Sequence, residues 1–332
     1  MRVPYETMYR EFVRVLEKYG MTHERALLSA KLYTDASMDG VYTHGLNRFP
    51  KFISSVQKGC VEMNAVPKLT ESSGVLERWD GCKGPGNLNA HFCMNRAIKI
   101  AHEHTIGCVA LSNTNHWMRP GAYGLMAADQ NCIGILWTNT VPNMPPWGGK
   151  DAKLGNNPLV IAVPHEGGHV LLDVAMSMFS YGKLESYKRQ NKPLPVDGGF
   201  DKDGNMTKDA AKILETHQPL PIGYWKGSGL SLMLDLVASS LAAGRSSLRV
   251  GELPVETELS QVFIAIDLNR LSNPEATAQS IADTLADLHT STPVKEGGEV
   301  RYPGEGMLRV RADNQKNGIP VEESVWQSVL EL

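Results

Sequence analysis

Segments typical of strands alternate with segments typical of helices along most of the chain, and this alternation constrains the fold more than any other feature. Short apolar runs rich in Val, Ile and Leu indicate buried strands, whereas apolar residues recurring every three or four positions indicate helices. The predicted strands cover 75–79, 108–113, 132–139, 159–164, 170–176 and 261–268. The predicted helices cover 5–19, 22–39, 88–104, 122–130, 229–243, 274–290, 306–317 and 321–331. The pattern predicts an α/β protein.

The distribution of these segments also predicts the domain organisation. Helices cluster at both ends of the chain, so residues 1–70 and 272–332 are expected to pack as one noncontiguous helical domain. Residues 71–271 then form the α/β domain, in which 159–164 and 170–176 are expected to pair as a hairpin. The stretch 180–221 is dense in Gly, Pro, Lys and Asp and is predicted to be rich in loops.

Composition narrows the class of partner and the compartment. A net charge of -3 in 332 residues gives no electrostatic reason to expect nucleic acid or an anionic membrane as partner. The first residues have no apolar core typical of a signal peptide, and no apolar run is long enough to span a bilayer. The five cysteines are odd in number and form no C-x-x-C pair, which argues against a disulfide scaffold. These features predict a cytoplasmic protein.

A glycine-rich turn, Gly84-x-Gly86-x-x-Asn89, follows a predicted strand and precedes a predicted helix. A dinucleotide fingerprint would have a third glycine at position 89, because a side chain there separates the helix from the sheet. A plain strand–turn–helix connection is therefore favoured over a Rossmann phosphate loop.

The string His165-Glu-Gly-Gly-His169 formally satisfies the H-E-x-x-H signature of zinc proteases. That chemistry needs a helix, and two adjacent glycines each disfavour one by roughly 1 kcal/mol. A solvated hairpin turn is favoured and no metal is expected, but a zinc hydrolase remains the alternative from another functional class. A non-catalytic binding protein on this scaffold is a further alternative.

Lysine and glycine residues precede the long helix predicted from position 229. Glycines at a helix start, beside Lys226, are compatible with a phosphate site. They are equally compatible with an ordinary glycine-rich helix start, and the sequence leaves both open.

Two polar strings carry the candidate chemistry. If 42–48 is helical, His44 and Arg48 face the same way, and together they offer a near-neutral acid and a bidentate carboxylate ligand. The string 113–119 follows a strand and contains two asparagines, His116 and Arg119. Either string is also compatible with ordinary surface polarity, as is Lys150.

Taken together, eight strings resemble the malate/L-lactate dehydrogenase family that lacks a Rossmann fold. They run in the family's order over nearly the whole chain: YTHGLNRFPKF (42–52), NTNHWMRPGAYG (113–124), WTNTVPNMPPWGGK (137–150), GNNPLVIAVP (155–164), MSMFSYG (176–182), LPVDGGFDKDGNMTK (194–208), PIGYWKGSGLS (221–231) and RYPGEG (301–306). The resemblance implies a non-Rossmann nicotinamide-binding domain on a mixed β-sheet over 71–271. It also implies that the terminal helical domain serves substrate binding and dimerisation, in a homodimer.

The resemblance further implies an NADH-dependent reduction of a 2-oxo acid, and the NHWMR string is most similar to the branch that acts on 2,3-diketo-L-gulonate. Another 2-oxo acid or a cyclic imine acid is the alternative substrate, and NADPH the alternative cofactor. His44 is implied as proton donor and His116 as a second acid–base residue. The implied substrate contacts are Thr43, Arg48, Asn115, Arg119 and Lys150. The implied cofactor contacts are His169, Val170, Leu171, Leu172, Asp173, Val174, Ala175, Trp225, Lys226, Gly304, Glu305 and Gly306.

Two departures from the family's pattern bear on these roles. Pro120 stands where a glycine is expected and is predicted to shift the loop that carries His116. The turn at 165–169 is longer than expected, which leaves the register of 169–175 open by about one residue.

Overall fold

A computed structural model describes all 332 residues. The strands are β1 (Arg2–Val3), β2 (Lys68–Ser73), β3 (Leu76–Asp80), β4 (Ile106–Thr114), β5 (Cys132–Thr138), β6 (Leu159–Val163), β7 (Val170–Val174), β8 (Gly199–Phe200), β9 (Met206–Thr207), β10 (Leu259–Asp267) and β11 (Ile319–Pro320). The helices are α1 (Tyr5–Lys18), α2 (His23–Met38), α3 (Phe49–Gln57), α4 (Gly86–His104), α5 (Gly121–Asp129), α6 (Tyr181–Arg189), α7 (Ala210–Thr216), α8 (Trp225–Ala242), α9 (Ser247–Val250), α10 (Pro274–His289), α11 (Glu305–Asn317) and α12 (Glu323–Glu331).

A seven-stranded mixed sheet forms the centre of the molecule, in the order β2-β3-β4-β10-β5-β6-β7. Only β3 and β4 are parallel, and α4 connects them. All other neighbours are antiparallel. A Rossmann sheet is built from successive parallel crossovers, so the prediction of a non-Rossmann α/β fold is confirmed.

Alternate residues of the strands face opposite sides of this sheet, and each side carries its own apolar layer. Phe263 of β10 belongs to the layer under α4 and α5, whereas its neighbour Val262 packs under α8 with Trp137 and Leu234. This period of two is what a strand buried on both faces requires.

Helices from the two ends of the chain share one apolar cluster beside the sheet. Phe12 of α1, Tyr33 of α2 and Phe49 of α3 pack ring against ring, and Trp326 of α12 belongs to the same cluster. Strand β1 pairs with β11, which ties the two ends together directly. The helical spacing of apolar residues in α1 agrees with this packing, since Met8, Phe12, Val15 and Leu16 are all buried.

Three details of the predicted elements are wrong. The stretch 180–221 contains α6, α7 and the small β8–β9 pair around a cluster of Leu184, Leu194, Ala210 and Ile213, so its turn-forming composition hid two short helices. Helix α8 begins at Trp225, four residues before its predicted start. Helix α3 and strand β2 were not predicted, and β2 is exposed throughout and carries no apolar alternation. None of the helices is both long and apolar enough to cross a membrane.

Candidate active site

The polar strings lie along one edge of the sheet, the edge that is formed by the ends of its central strands. β4 and β5 end there and β10 begins there, since Leu259 pairs with Thr114 and Gln261 pairs with Thr138. The loops that leave this edge carry His116 after β4 and Glu256 before β10. Residues far apart in sequence therefore meet at one place because the strands that carry them are neighbours.

The segment that bears His44 and Arg48 is not a continuous helix, so the condition under which the two side chains would share one helical face is not met. The segment forms two 3-10 turns, Tyr42–His44 and Leu46–Arg48, separated at Gly45. A Cβ at Gly45 would lie 2.1 Å from the hydroxyl oxygen of Ser37, which accepts a hydrogen bond from the Leu46 N–H at 2.9 Å. The backbone must approach α2 this closely, so the turn breaks at glycine. His44 and Arg48 nevertheless remain electrostatic neighbours.

His44 and His116 come together from different elements. Their rings stack with centroids 5.9 Å apart and an interplanar angle of 19°. The Met118 N–H donates to Nδ1 of His116 at 3.0 Å, so the neutral ring of His116 carries its proton on Nε2. Nδ1 of His44 lies 3.0 Å from the Thr43 hydroxyl, which places Thr43 beside the candidate proton donor rather than on a free surface.

Both imidazoles are held in the uncharged form. Burial, with the charges of Arg48 and Arg119, lowers the pKa of His44 to about 4. Burial likewise holds the pKa of His116 well below its ordinary value, with added repulsion from Arg48, His44 and Lys51. Desolvation disfavours an imidazolium, and neighbouring cations disfavour it further. An anion bound beside Arg48 would reverse part of this effect.

Arg48 faces the two histidines and has only one distant anionic partner, Glu256, at 4.0 Å. Glu256 also accepts a hydrogen bond from the Val141 N–H at 3.2 Å, which fixes it at the sheet edge. The positive charge of Arg48 is the main cause of a lowered pKa of Lys51, so a second cation lies close by. These two cations, of which Arg48 is partly buried and Lys51 is exposed, are suited to a carboxylate.

The loop that carries His116 is anchored by Asn115. Its amide donates to the carbonyls of Lys83 and Gly84 at 2.8 and 3.1 Å, and its oxygen accepts from the Thr257 hydroxyl at 2.9 Å. Asn115 is buried, so its side chain already has protein partners on both polar atoms. Met118 adopts the left-handed conformation at φ 65°, which is the strained backbone that presents its N–H to His116.

Arg119 also has a protein partner. Its guanidinium pairs with Asp39 of α2, and both side chains are only 4% exposed. The next residue, Pro120, immediately precedes α5 and has the helical angles φ −70° and ψ −33°. Proline is preorganised for that conformation, so Pro120 is accommodated at a helix start. The predicted substrate contacts of Asn115 and Arg119 remain predictions, and the geometry gives each a holding role.

The predicted cofactor residues at 169–175 and 304–306 lie against each other. β7 is the edge strand of the sheet, and Leu171 donates its N–H to the Pro303 carbonyl at 2.8 Å. A Cβ at Gly304, where φ is 92°, would lie 2.9 Å from Cβ of Leu171. Gly304 therefore permits a contact that no other residue would. Asp173 accepts a hydrogen bond from the Gly121 N–H at 2.9 Å, which connects β7 to α5.

Trp225 and Lys226 lie at the other end of β7, where the Ile222 N–H bonds to the Met176 carbonyl at 2.8 Å. Gly304, beside Leu171, and Lys226, four residues after Ile222, therefore lie at opposite ends of β7. The N–H groups of Lys226, Gly227 and Ser228 are already bonded to the carbonyls of Gly223, Ile222 and Tyr224. These three N–H groups are therefore not free for a phosphate at this helix start, and Lys226 offers its side chain.

Lys150 lies in a loop that folds over the start of α8. The Trp147 N–H donates to the Ser228 hydroxyl at 2.9 Å, and the rings of Trp147 and Tyr224 are 5.1 Å apart. Lys150 itself is exposed and makes no ion pair. The structure places it near the α8 end of β7, and a substrate contact by Lys150 stays a prediction.

The H-E-x-x-H string is a hairpin turn between β6 and β7, as predicted, with Val163 paired to Val170. The His165 N–H donates to Nδ1 of His169 at 3.1 Å, and Nε2 of His169 lies 3.0 Å from Asp129. The arrangement lacks the helix on which the zinc signature depends. A separate group with metal-ligand chemistry, His102, Cys132 and Asp267, lies at the opposite edge of the sheet.

Sequence reasoning missed Lys51, Glu256 and Asp39 as members of the site. Lys51 lies one turn after Arg48 within a recognised string, and that spacing could have identified it. Glu256 and Asp39 reach the site only through β10 and α2, and no local pattern marks them.

Comparisons with known proteins agree with this geometry. Residues 3–330 match the family described as malate/L-lactate dehydrogenase. The chain is 43% identical to a 2,3-diketo-L-gulonate reductase of Citrobacter koseri and 41% identical to one of Escherichia coli, each over 100% of both chains. It superposes on the sulfolactate dehydrogenase of Methanocaldococcus jannaschii with a TM-score of 0.89 and 30% identity, covering 100% of this chain and 96% of the other. The chain therefore belongs to the malate/L-lactate dehydrogenase family of pyridine-nucleotide-dependent oxidoreductases that act on 2-hydroxy and 2-oxo acids.

Proposed function

We propose that this enzyme reduces 2,3-diketo-L-gulonate to 3-keto-L-gulonate with NADH. The observation that carries the proposal is the stacked pair His44 and His116 beside the weakly partnered guanidinium of Arg48. The names of the relatives from Citrobacter koseri and Escherichia coli support the choice of substrate.

Arg48 binds the substrate carboxylate in this proposal. A guanidinium offers two parallel N–H donors that match the two carboxylate oxygens, and Lys51 adds a second positive charge. Glu256 is the acceptor available to substrate hydroxyl groups at the same place, because it lies 4.0 Å from Arg48. A hydroxylated monocarboxylate satisfies both requirements.

His44 delivers the proton to the C2 oxygen. In the free protein its pKa is about 4, so the ring is neutral at pH 7. A carboxylate bound to Arg48 offsets one of the charges that lower this pKa, so substrate binding favours protonation of His44. Nε2 of His116 carries a proton and can hold the substrate oxygen by donating a hydrogen bond.

The outer edge of β7 is the proposed cofactor surface. Because Leu171 directs its N–H outward to Pro303, Asp173 two residues later directs its N–H to the same open side. Such an edge can pair with a carboxamide, while Gly304 and Lys226 flank its two ends. When bound there, the nicotinamide supplies the hydride that reduces C2.

A panel of 2-oxo acids assayed at 340 nm with NADH and with NADPH tests the proposal. We expect the highest kcat/KM with 2,3-diketo-L-gulonate and NADH. A higher value with oxaloacetate, pyruvate or a cyclic imine acid would replace the substrate, and a preference for NADPH would replace the cofactor. NADH binding without turnover of any compound would favour the binding-protein alternative.

The domain assignment is proposed on the same basis. Residues 1–70 with 272–332 form the helical unit that supplies His44 and Arg48, supported by the apolar cluster shared by α1, α2, α3 and α12. Residues 71–271 form the cofactor unit around the sheet, and the 180–221 insertion contacts the site through Gly182, where a Cβ would lie 3.1 Å from Thr43.

A homodimer is proposed from two uncovered surfaces. The outer face of α8 exposes five large apolar side chains, each 37% to 55% accessible: Leu230, Leu232, Met233, Leu236 and Val237. Helix α10 buries none of its residues within the chain. Contiguous apolar surface of this kind marks an interface. On this proposal part of the dimer contact falls in 71–271, whereas the resemblance implied dimerisation through the terminal helical domain.

Light scattering tests the dimer. Leu236→Asp should halve the mass, whereas Val294→Asp, at a fully exposed position outside the α8 face, should leave it unchanged. A wild-type monomer would overturn the proposal.

The five cysteines are all unpaired, in keeping with the proposed cytoplasmic location.

A further inference from the structure

A group of four charged residues, here called the Asp39 cluster, lies behind the candidate active site, and two of its members, Asp39 and Arg119, are buried. It consists of Asp35 and Asp39 from α2 and its end, Arg119 from the His116 loop, and Arg311 from α11. Asp39 pairs with Arg119 through one oxygen and with Arg311 through the other, at 2.6 Å for the latter. Arg311 also reaches Asp35 at 3.1 Å.

Stability alone does not explain this arrangement. Taking an ion pair such as Asp39–Arg119 out of water costs desolvation energy that the attraction often fails to repay, and apolar side chains would fill the same space at no such cost. A buried ion pair does fix geometry, because moving either partner leaves an uncompensated charge. Nε of Arg119 has no hydrogen-bond partner, so this guanidinium is held chiefly through its terminal nitrogens.

The cluster joins the three segments to which the proposed function assigns roles. Arg119 is three residues after His116 and two before Gly121, whose N–H is bonded to Asp173 of β7. Asp39 is five residues before His44. Arg311 lies in α11, the helix that begins beside Gly304, and Met307 of the same helix contacts Arg119 at 2.9 Å.

We propose that Asp39 is a positioning residue that holds Arg119, and through it the His116 loop, in register with His44 and with the edge of β7. Arg119 then acts on the reaction through its place in the loop, without touching the substrate. This inference rests on the proposed function, because it assigns the cluster a role in the same proton transfer.

Asp39→Asn and Asp35→Asn form a matched pair of variants. Each removes one carboxylate charge from the cluster, but only Asp39 touches Arg119. Misplacement of a catalytic group by about 1 Å can cost on the order of 100-fold in rate. We expect Asp39→Asn to lower kcat by about that factor and Asp35→Asn to lower it less than about threefold. Equal losses in the two variants would overturn the inference.

A double-mutant cycle separates positioning from substrate contact. If Asp39 acts through Arg119, Asp39→Asn combined with Arg119→Lys should be no worse than the more severe single variant, with KM for the 2-oxo acid little changed. Independent effects of the two changes, or a KM increase confined to Arg119→Lys, would show that Arg119 binds substrate itself and would refute the positioning role.

The pKa of His44, followed by NMR titration of its ring, gives a readout that does not depend on turnover. His44 is faced by Arg48 of its own segment and by Arg119 and His116 of the loop. Asp39→Asn leaves Arg119 uncompensated and should lower this pKa further, while Asp35→Asn should not. An unchanged pKa in Asp39→Asn would count against the inference.

Asp39→Glu provides a variant that keeps the charge if Asp39→Asn fails to fold. It should retain the His44 pKa and recover part of the lost kcat, and no recovery would contradict the role of the carboxylate. A wild type inactive on every 2-oxo acid would defeat the proposed function, whereas an active wild type with equivalent Asp39→Asn and Asp35→Asn variants would defeat this inference alone.

Discussion

The molecule contains two pairs of histidines, and their positions differ in an instructive way. His165 and His169 are four residues apart in a string with a known catalytic signature, yet they lie on a hairpin turn with Asp129 as a neighbour. His44 and His116 are far apart in sequence, the first in the 3-10 turn Tyr42–His44 and the second in the loop after β4, yet their rings stack with centroids 5.9 Å apart. Short sequence spacing identified the pair that lacks the required geometry.

Surroundings, more than spacing, distinguish the two pairs. His44 and His116 are withdrawn from water and lie beside Arg48, and these conditions lower their pKa values. Perturbed ionisable groups gathered in a cleft are typical of functional sites.

Substituting one histidine of each pair should give the largest difference in turnover between the two pairs. His44→Ala should lower kcat for 2-oxo acid reduction by about 100-fold or more, the scale of a lost general acid, while NADH affinity is retained. The matched variant His165→Ala should keep turnover within about twofold, because that ring only packs against Tyr302 at 6.3 Å. Steady-state kinetics on both proteins provide the test, and near-normal turnover in His44→Ala would remove it from the proton-transfer role.

The two ends of β7 should differ in the same way for cofactor binding. Lys226 is exposed, and its ammonium lies 5.8 Å from the Trp225 ring with no acidic partner. Lys226→Ala should weaken NADH binding by roughly 1.5–3 kcal/mol, the value of a hydrogen bond to a charged group. His169→Ala should have a smaller effect, because both nitrogens of that ring are already engaged by the His165 N–H and by Asp129, which leaves only the backbone of His169 for the cofactor. Fluorescence titration of NADH measures both, and equal affinities for the two variants would exclude Lys226 as a phosphate contact.

The fold followed from the sequence further than the site did. Apolar residues recur with a clear period in α1, α4, β5 and β10, because one face or both faces of each element are buried. Each of these elements lies within a few residues of its predicted position. The prediction for 180–221 missed α6 and α7, because these helices are short and bury few residues. Their apolar periodicity is therefore weak, and the glycines and prolines of the stretch indicated loops instead.

The site was only partly predictable, because much of it depends on tertiary contacts. His44, Arg48 and His116 were found from local strings and from resemblance. The engagement of Arg119 with Asp39 was not, since a sequence shows a charged residue without showing its partner. The break at Gly45 was hidden for the same reason, because it is imposed by the approach of Ser37 from α2.

A substitution that keeps the positive charge at position 48 but removes the guanidinium should show whether Arg48 acts through its charge or through its two parallel N–H donors. Arg48→Lys keeps the positive charge that lowers the pKa of His44, so kcat should change little. It loses the two-pronged grip on a carboxylate, and KM for the 2-oxo acid should rise by about fivefold to tenfold, roughly 1 kcal/mol or slightly more. Kinetics at fixed saturating NADH give the two constants separately. Identical KM values in the two proteins would place the substrate carboxylate elsewhere.

The free energy of unfolding should decrease as the pH falls, because His44 and His116 are desolvated in the folded protein. The pKa of His44 is about 4 in the folded protein, and that of His116 is also well below its ordinary value, whereas an unfolded histidine titrates near 6.5. Above pH 6.5 neither state takes up a proton at these residues, so the full stability is present. Between pH 6.5 and pH 4 the unfolded chain binds protons that the folded protein refuses, and stability falls.

Urea unfolding at pH 7.5, 6 and 5 measures this loss as a falling midpoint. Carboxylates titrate in part of the same range, so the informative quantity is the difference between variants. His116→Gln removes one of the two groups and should flatten the decline, whereas His165→Gln leaves both in place and should reproduce the wild-type decline. A His116→Gln protein that loses stability as steeply as wild type would show that the stacked ring is protonated as readily in the folded state as in the unfolded one, and the contrast between the two pairs would then lose its electrostatic basis.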